Sequence, residues 1–129
     1  MAAVLLDTTV LIDALRGRQA AQGIRGLRQQ GDDPFVCAIN VEELFRGLGR
    51  GEEAVAARLV RGLRAAPLGA AQGRKAGEWR RRFAARGRTL SQADCLIAAA
   101  AVSIGARLIT ANPKDFPMKE LRVEHWPSC

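Results

Sequence analysis

The chain has 129 residues, a length that predicts one domain covering residues 1–129 with a sizeable core. Hydrophobic residues make up 48% and charged residues 26%, as in soluble globular proteins, and the longest apolar run, residues 95–102, is far too short to cross a bilayer. The formal net charge of +7 and the excess of 17 Arg over 3 Lys favour a polyanionic partner, although a GC-rich genome would give the same excess regardless of function.

Apolar runs in the first part of the chain alternate between strand and helix patterns. Residues 4–6 form a short buried strand, and Thr8 or Thr9 can cap a helix that runs through Leu15 before Gly17 ends it. A second helix covers residues 19–30 and stops at a turn in residues 31–34. This pattern predicts one strand followed by two helices.

The middle of the chain repeats the alternation. Residues 35–38 form the second strand, after which Asn40 begins a helix with Glu43 in the capping-box position. Another helix opens at Glu52 and closes with basic residues, the charge order that a helix dipole favours. Those basic residues are Arg58, Arg61 and Arg64. Residues 65–68 form a brief third strand.

The last part of the chain completes the predicted fold. A polar, arginine-rich helix covers residues 70–86, and Ser91 caps an apolar helix that ends near Ile104, with Gly105 as its stop. Strands follow at residues 107–110 and 123–126. Strands alternating with helices predict an α/β fold, a three-layer sandwich in which a central parallel sheet of four to five strands carries helices on both faces.

Four acidic residues follow a strand or open a helix, at the positions that such a fold gathers on one edge: Asp7, Glu43, Asp94 and Asp115. In a parallel sheet, the carboxyl ends of the strands and the amino ends of the following helices share the edge where ligands bind. Carboxylates repel one another, and the usual reason for collecting several is a hard divalent cation. The pattern therefore predicts a site for Mg²⁺ or Mn²⁺.

Each of these residues also has a purely structural interpretation. The sole role of Asp7 could be to cap the first helix, that of Glu43 to complete a capping box, and that of Asp115 to form a turn. Glu42, beside Glu43, is an alternative candidate for any catalytic role. Asp94 could be a partner of the Ser91 cap, yet residues 93–102 are otherwise apolar on every face, and such helices rarely carry an unpaired charge. Three other aspartates before the second strand are interpreted as helix-surface and turn residues: Asp13, Asp32 and Asp33.

The cysteines and the start of the chain indicate a cellular location. Cys37, Cys95 and Cys129 share no metal-ligand spacing, and the first two lie in apolar runs, as small buried side chains of a reducing compartment do. The apolar start is five residues long and ends at Asp7, so it does not resemble a signal peptide. The sequence predicts a cytoplasmic protein without a membrane anchor.

Four blocks of the sequence resemble the PIN domains of VapC-type toxins. Residues 7–13 resemble the opening of that family, and residues 43–47, Glu-Leu-Phe-Arg-Gly, resemble its E-L-x-x-G pattern. Residues 87–99 resemble its G-R-x-I-x-x-x-D-x-L-I-A-A segment, and residues 108–116 its L-x-T-x-N-x-x-D-F segment. The similarity extends over residues 4–126 in the family's order and spacing.

The resemblance implies a Mg²⁺- or Mn²⁺-dependent endoribonuclease, the toxin of a type II toxin–antitoxin pair, with RNA as substrate, a cognate antitoxin protein as partner and a homodimeric assembly. Its acidic residues map onto Asp7, Glu43, Asp94 and Asp115, which selects Glu43 over Glu42, and its polar supports map onto Thr9 and Asn112. The chain has Ser91 where Gly is common in the family and Ala111 where a basic or bulky residue is common. Neither departure removes a metal ligand, but both could affect the fit of RNA.

The arginine-rich helix is a candidate RNA contact. Seven cations fall within fifteen residues, opposed there only by Glu78: Arg74, Lys75, Arg80, Arg81, Arg82, Arg86 and Arg88. Ala76, Trp79 and Phe83 recur at helical spacing and should anchor one face to the core. We expect the helix to lead RNA toward Asp94 through Arg81, Arg82, Arg86 and Arg88, although a solvated charged face would give the same pattern.

Other classes fit the sequence less well. His125 is the one histidine and tyrosine is absent, which excludes a two-histidine ribonuclease mechanism and a phosphotyrosyl intermediate; we interpret His125 as structural. A phospho-acceptor receiver domain would need an aspartate after its middle strand, and residues 65–68 carry none. The alternative that remains is a non-catalytic PIN-like module that binds RNA or protein, and the intact carboxylates argue against it.

Overall fold

A five-stranded parallel sheet with the strand order β3-β2-β1-β4-β5 forms the centre of the computed structural model, which describes residues 2–128. The strands are β1 (Ala3–Leu6), β2 (Asp33–Val36), β3 (Arg64–Ala65), β4 (Arg107–Thr110) and β5 (Val123–His125). Every neighbouring pair is parallel. The predicted α/β class and the number of strands are confirmed.

Helices connect the strands. They are α1 (Thr8–Leu15), α2 (Gln19–Gln29), α3 (Ala38–Arg46), α4 (Glu53–Arg61), α5 (Ala70–Ala84) and α6 (Gln92–Ser103), with a short 3-10 helix at Pro113–Asp115. Within residues 2–128, no helix combines the length and the apolar character needed to cross a membrane.

Both faces of the sheet are covered, and β1 shows how the chain divides its apolar side chains. Val4 and Leu6 pack with residues of α1 to α4, whereas Leu5 packs with α5 and α6. Successive strand residues point to opposite faces of a sheet, so one strand supplies both halves of the core. Trp79 of α5 is fully buried in the second half, against the small side chains of α6. The result is the predicted three-layer arrangement.

The start of α3 differs from the prediction. The helix begins at Ala38 with Cys37 in the N-cap position, three residues before the expected cap at Asn40. The side-chain Oδ1 of Asn40 accepts a hydrogen bond from the backbone N–H of Cys37 at 2.9 Å. The predicted capping-box role of Glu43 is therefore wrong, because the N3 position of this helix is occupied by Asn40.

Two further boundaries differ. Arg64 belongs to β3 rather than to the end of α4, where it forms an ion pair with Asp33 of β2 at 2.6 Å and lies over the Phe35 ring. The arginine-rich helix ends at Ala84 instead of Arg86. Gly87 follows with φ +80, a left-handed conformation that favours glycine and turns the chain toward α6.

The strand order fixes where a ligand can bind. From β1 the chain proceeds to β2 and β3 on one side, whereas β4 and β5 lie on the other side. The topological switch point is therefore between β1 and β4, and open α/β sheets bind ligands outside the carboxyl ends of the strands at that point. Asp7 directly follows β1, and Ala111 and Asn112 directly follow β4.

Candidate active site

Asp7 lies at the switch point and connects the two strands that flank it. It occupies the N-cap position of α1 but makes no side-chain capping hydrogen bond, so the interpretation as a helix cap alone does not hold. Its Oδ2 instead accepts hydrogen bonds from Oγ1 of Thr110 at 2.7 Å and from Oγ1 of Thr9 at 3.3 Å. The carboxylate is 6% exposed. Burial raises the pKa of Asp7 and the charge of Glu43 raises it further, against the hydrogen bond from Thr110.

Threonine hydroxyls hold the loop after β4 against the start of α1. Thr110 is fully buried, and its Oγ1 accepts the backbone N–H of Asn112 at 3.0 Å while donating to Asp7. Oγ1 of Thr9 accepts the backbone N–H of Ala111 at 3.2 Å. Thr9 thus has the supporting position expected of it. Asn112 is attached through its backbone, and its side chain is exposed.

Glu43 reaches the same edge from α3 through a chain of hydrogen bonds. Its Oε1 accepts a hydrogen bond from Oγ1 of Thr8 at 2.6 Å. That hydroxyl in turn accepts from Nδ2 of Asn40 at 3.2 Å, and Asn40 is fully buried. The first turn of α3 therefore fixes Thr8, and Thr8 fixes one oxygen of Glu43.

Glu42 is directed away from this network. Its two carboxylate oxygens accept hydrogen bonds from Arg46, one turn later, at 2.9 and 3.1 Å on the exposed surface. That contact lowers the pKa of Glu42. The geometry and the resemblance of the sequence therefore select the same glutamate.

Asp94 lies in the first turn of α6, where Oγ of Ser91 accepts its backbone N–H at 3.0 Å, as the sequence predicts for a Ser91 cap. Burial raises the pKa of the Asp94 carboxyl, and a hydrogen bond from Ser91 opposes this. The charges of Asp7, Asp115 and Glu43 all raise it further. The structure therefore brings the four carboxylates within electrostatic reach of one another, although they come from four separate segments.

Asp115 is the least constrained of the four. It is half-buried at the end of the 3-10 helix, and its backbone N–H donates to the carbonyl oxygen of Asn112 at 3.1 Å. The carbonyl of the preceding residue, Lys114, accepts a hydrogen bond from Arg88. Through that contact the loop carrying Asp115 is attached to the segment between α5 and α6.

The acidic residues of the two sheet edges differ in their partners. At the amino edge, Asp32 lies in the connection before β2 and pairs with Arg107 at 3.2 Å. Asp33 pairs with Arg64 at 2.6 Å, but it is the first residue of β2, so its interpretation as a turn residue is wrong. At the carboxyl edge, no Lys or Arg of residues 2–128 forms an ion pair with any of the four carboxylates. Negative charge is therefore neutralised at one edge and concentrated at the other.

The donor atoms at the carboxyl edge suit a hard cation, because carboxylate oxygens are the ligands that Mg²⁺ and Mn²⁺ prefer. Among residues 2–128, however, no three His, Cys, Asp or Glu side chains lie close enough together to hold a metal ion as they stand. Glu43, Asp94 and Asp115 are each half-buried, and one oxygen of Glu43 is held by Thr8. The fit is one of chemistry and mutual reach, and binding would require side chains to move closer together.

Sequence reasoning missed three residues that organise this edge, and misjudged one elsewhere. Thr110 appears in the sequence as the polar end of an apolar strand, and Thr8 and Asn40 as simple caps, whereas all three orient carboxylates. Asp13 is not a helix-surface residue: it is 6% exposed, bonded to Arg18 at 2.9 Å and to Oγ of Ser128 at 2.9 Å. The chain near Ser128 covers it, which no local pattern indicates.

The α5 helix presents its cations in different environments. Ala76, Trp79 and Phe83 are buried, as predicted. Arg82 and Lys75 both form ion pairs with Glu120, at 3.4 and 3.3 Å, so Glu78 is not the helix's sole acidic neighbour. Burial opposes the shift, but backbone, Trp79 and Lys75 hydrogen bonds lower the pKa of Glu120 to about 2.

Within residues 2–128, the other arginines of this region form no ion pair with an acid outside the helix. Arg86 lies over the Phe83 ring, 5.1 Å from its centroid, and Arg81 is exposed. Nε of Arg80 donates to the carbonyl oxygen of Leu90 at 3.2 Å. Burial raises the pKa of the Cys95 thiol, and the Arg80 charge opposes this, so its positive charge reaches the first turn of α6.

Comparison with known proteins identifies the family of the chain and agrees with its fold. The PIN domain family model matches residues 4–120. Ribonuclease VapC19 of Mycobacterium tuberculosis is 31% identical over 134 aligned residues, which cover 88% of this chain and 92% of that protein. Ribonuclease VapC10 of the same organism is 31% identical over 117 residues, covering 91% and 88%. The chain therefore belongs to the PIN domain family, and these curated relatives are VapC ribonucleases.

Solved structures give the same fold. VapBC2 from Rickettsia felis, bound to a promoter DNA fragment, matches with a TM-score of 0.82 at 23% identity, over 96% of this chain and 98% of that chain. DNA-bound VapBC from Salmonella typhimurium matches with a TM-score of 0.81 at 22% identity, over 98% and 99%. PIN-domain ribonucleases of the VapC type generally depend on divalent metal.

Proposed function

We propose that this protein is a Mg²⁺- or Mn²⁺-dependent endoribonuclease that acts in the cytoplasm as the toxin of a type II toxin–antitoxin pair. The observation that carries the proposal is the placement of four carboxylates at the carboxyl edge of the sheet, close enough for their charges to interact and without ion-pair partners among residues 2–128: Asp7, Glu43, Asp94 and Asp115. The names of the VapC relatives support RNA as the substrate.

The four carboxylates are the proposed ligands and catalytic residues. One oxygen of Asp7 and one oxygen of Glu43 are each held by a threonine hydroxyl, and in this proposal the second oxygen of each contacts the cation. Thr9 is the proposed polar support of Asp7, and Asn112 contributes through its backbone. When bound, a divalent cation supplies Lewis acidity, which lowers the pKa of its water and neutralises charge that develops on a phosphodiester.

The remaining residues have supporting roles in this proposal. The four arginines expected from the sequence to grip RNA lie on or just after α5: Arg81, Arg82, Arg86 and Arg88. The helix N-terminus of α6 favours the ionised form of Asp94 and so favours binding of a cation. In this proposal the arginines hold the RNA backbone so that one phosphodiester lies at the carboxylate edge.

The partners follow from the family. The structural neighbours are VapBC complexes, which supports a cognate antitoxin protein for this chain. An acidic pocket flanked by arginines would accept an antitoxin segment that inserts its own Arg or Lys among the carboxylates. A homodimer stays a prediction, to be tested by light scattering of the purified protein.

One experiment tests the activity. Purified protein is incubated with total RNA and Mn²⁺, and new 5′ ends are sequenced, with Asp94→Asn as the matched variant. We expect cleavage that excess EDTA abolishes and that Mg²⁺ or Mn²⁺ restores, and none from Asp94→Asn. Full activity in EDTA would exclude metal dependence, whereas RNA that is bound but never cut would favour the non-catalytic binding module.

A further inference from the structure

The cations of α5 are divided between the two flanks of its buried stripe. At 3.6 residues per turn, Lys75 and Arg82 lie on one side of the stripe formed by Ala76, Trp79 and Phe83, and Arg80 lies on the other. The first flank faces Glu120, to which both of its cations are paired. The flank of Arg80 faces the segment that leads into α6. The two flanks therefore differ in net charge.

Arg80 and Arg88 share a kind of partner that Arg82 and Arg74 do not have. Each donates one N–H to a backbone carbonyl, that of Leu90 for Arg80 and that of Lys114 for Arg88. A carbonyl is neutral, so the contact orients the guanidinium without cancelling its charge. Both side chains are exposed, and a guanidinium carries further N–H donors in a rigid fork.

These two carbonyls belong to the segments that carry two of the carboxylates. Leu90 directly precedes Ser91, the cap of the helix whose first turn carries Asp94, and Lys114 directly precedes Asp115. The two guanidinium groups are therefore attached to the segments that carry Asp94 and Asp115. An exposed fork that keeps its full charge is suited to bidentate contact with a phosphate.

We infer that Arg80 and Arg88 form a phosphate clamp that holds the RNA backbone beside the carboxylate edge, whereas Arg82 contributes little to RNA binding. The inference rests on the proposed endoribonuclease function and identifies which arginines bind its substrate. Arg80 is the new member of this set. Each clamp arginine has two contacts, with a main-chain carbonyl on one side and with a phosphate of the substrate on the other.

Salt dependence of binding is the decisive measurement. A single-stranded RNA oligonucleotide is titrated with wild type, Arg80→Gln, Arg88→Gln and the control Arg74→Gln in EDTA over a range of NaCl concentrations. Arg74 is exposed and paired with Glu78 at 3.2 Å on the same helix, so it reports loss of charge alone. We expect each clamp variant to bind about tenfold more weakly at low salt, and its log–log slope to fall by about 0.7 per lost phosphate contact.

Two further measurements separate binding from folding and from catalysis. Arg80→Lys keeps a charge and a donor and should retain most of the slope. All variants should stay folded, with melting temperatures lowered by no more than about 8 °C, the effect of losing one hydrogen bond. With Mn²⁺, the clamp variants should raise KM more than they lower kcat. Unchanged slopes in both clamp variants, or equal binding loss in Arg74→Gln, would overturn the clamp. Failure of wild type to cleave any RNA would overturn the proposed function instead, since binding in EDTA is measured independently.

Discussion

Asp94 and Asp13 are both aspartates withdrawn from solvent, but their surroundings give their charges opposite consequences. Asp13 accepts hydrogen bonds from Arg18 and from Ser128. The pKa of Asp94 is raised by burial and by the charges of three other carboxylates at the same edge of the sheet. A cationic partner favours the ionised form of a buried carboxylate, and removing one member of such a pair is destabilising, whereas anionic neighbours destabilise the ionised form. Replacing Asp94 by Asn should therefore not lower the free energy of unfolding in EDTA, whereas replacing Asp13 by Asn should lower it.

The first prediction concerns Asp94→Asn in EDTA. The folded-state pKa of Asp94 lies above its ordinary value of 3.8, so the folded protein binds the proton more tightly than the unfolded chain does. Wild type should therefore lose free energy of unfolding as pH rises from about 4 through the raised pKa, and Asp94→Asn should lose less of it. Urea unfolding near pH 4 and near pH 7 measures this difference.

Asp13→Asn is the matched control for that measurement. It removes a charge-assisted hydrogen bond and should destabilise the protein at neutral pH by about 2 kcal/mol without abolishing cleavage. Asp94→Asn should lose cleavage while its melting temperature in EDTA stays level or rises. Added Mg²⁺ should stabilise wild type more than Asp94→Asn, since only the intact site binds it fully. An unfolded Asp94→Asn protein would assign Asp94 chiefly to capping.

At the scale of elements, the first turn of α3 supplies the network that positions Glu43. The backbone N–H of Cys37 bonds to Asn40, Asn40 bonds to Thr8, and Thr8 bonds to Glu43. These residues come from the ends of two helices that follow different strands, α1 after β1 and α3 after β2. The distance between β1 and β2 sets the distance between the starts of α1 and α3, and the hydrogen bonds between these starts orient the Glu43 carboxylate.

The second prediction tests this network through Thr8→Val, which keeps the shape of the side chain and removes the hydroxyl. Nδ2 of the buried Asn40 loses its acceptor, so the free energy of unfolding should fall by about 1–3 kcal/mol. Glu43 loses the hydrogen bond that holds its Oε1, and cleavage should fall by about 10- to 100-fold, the range seen when a hydrogen-bond partner of a metal ligand is removed. Thr8→Ser, which keeps the hydroxyl, should retain most of both. Equal activity in the two variants would show that Thr8 is not needed to orient Glu43.

The elements also show what the sequence could and could not predict. Apolar periodicity located every strand and helix, because burial on one face or both imposes that pattern locally. It misplaced the cap of α3, since the N-cap there is Cys37, a residue without the usual preference for that position. The contacts of Asp13 with Ser128 and of Trp79 with Glu120 join residues far apart in the chain, and no local pattern encodes them. That the four carboxylates lie at one edge could be predicted, because in a parallel sheet the carboxyl ends of the strands and the starts of the following helices share an edge.

At the scale of the whole molecule, the charge distribution is uneven in a way that the net charge of +7 conceals. Acidic residues at the amino edge of the sheet are neutralised by Arg64 and Arg107. The carboxyl edge keeps four carboxylates without basic partners among residues 2–128, beside the exposed cations Arg80 and Arg88. A surface that attracts a polyanion therefore lies next to a surface that attracts a cation. RNA with a divalent ion satisfies both, and so would a protein segment that carries acidic and basic side chains.

The third prediction follows from that dual character and concerns the antitoxin. The partner should place a basic side chain among the carboxylates, where it does the work of the cation, so antitoxin and divalent ion should compete. Co-expression of the protein encoded by the neighbouring gene should relieve growth arrest, and its affinity for the purified chain should fall as Mg²⁺ is raised. In Asp94→Asn, which removes one of the competing charges, the Mg²⁺ dependence of that affinity should flatten. Toxicity that no neighbouring gene product relieves would contradict the toxin assignment while leaving the nuclease activity untouched, and affinity independent of Mg²⁺ in wild type would place the antitoxin on another surface.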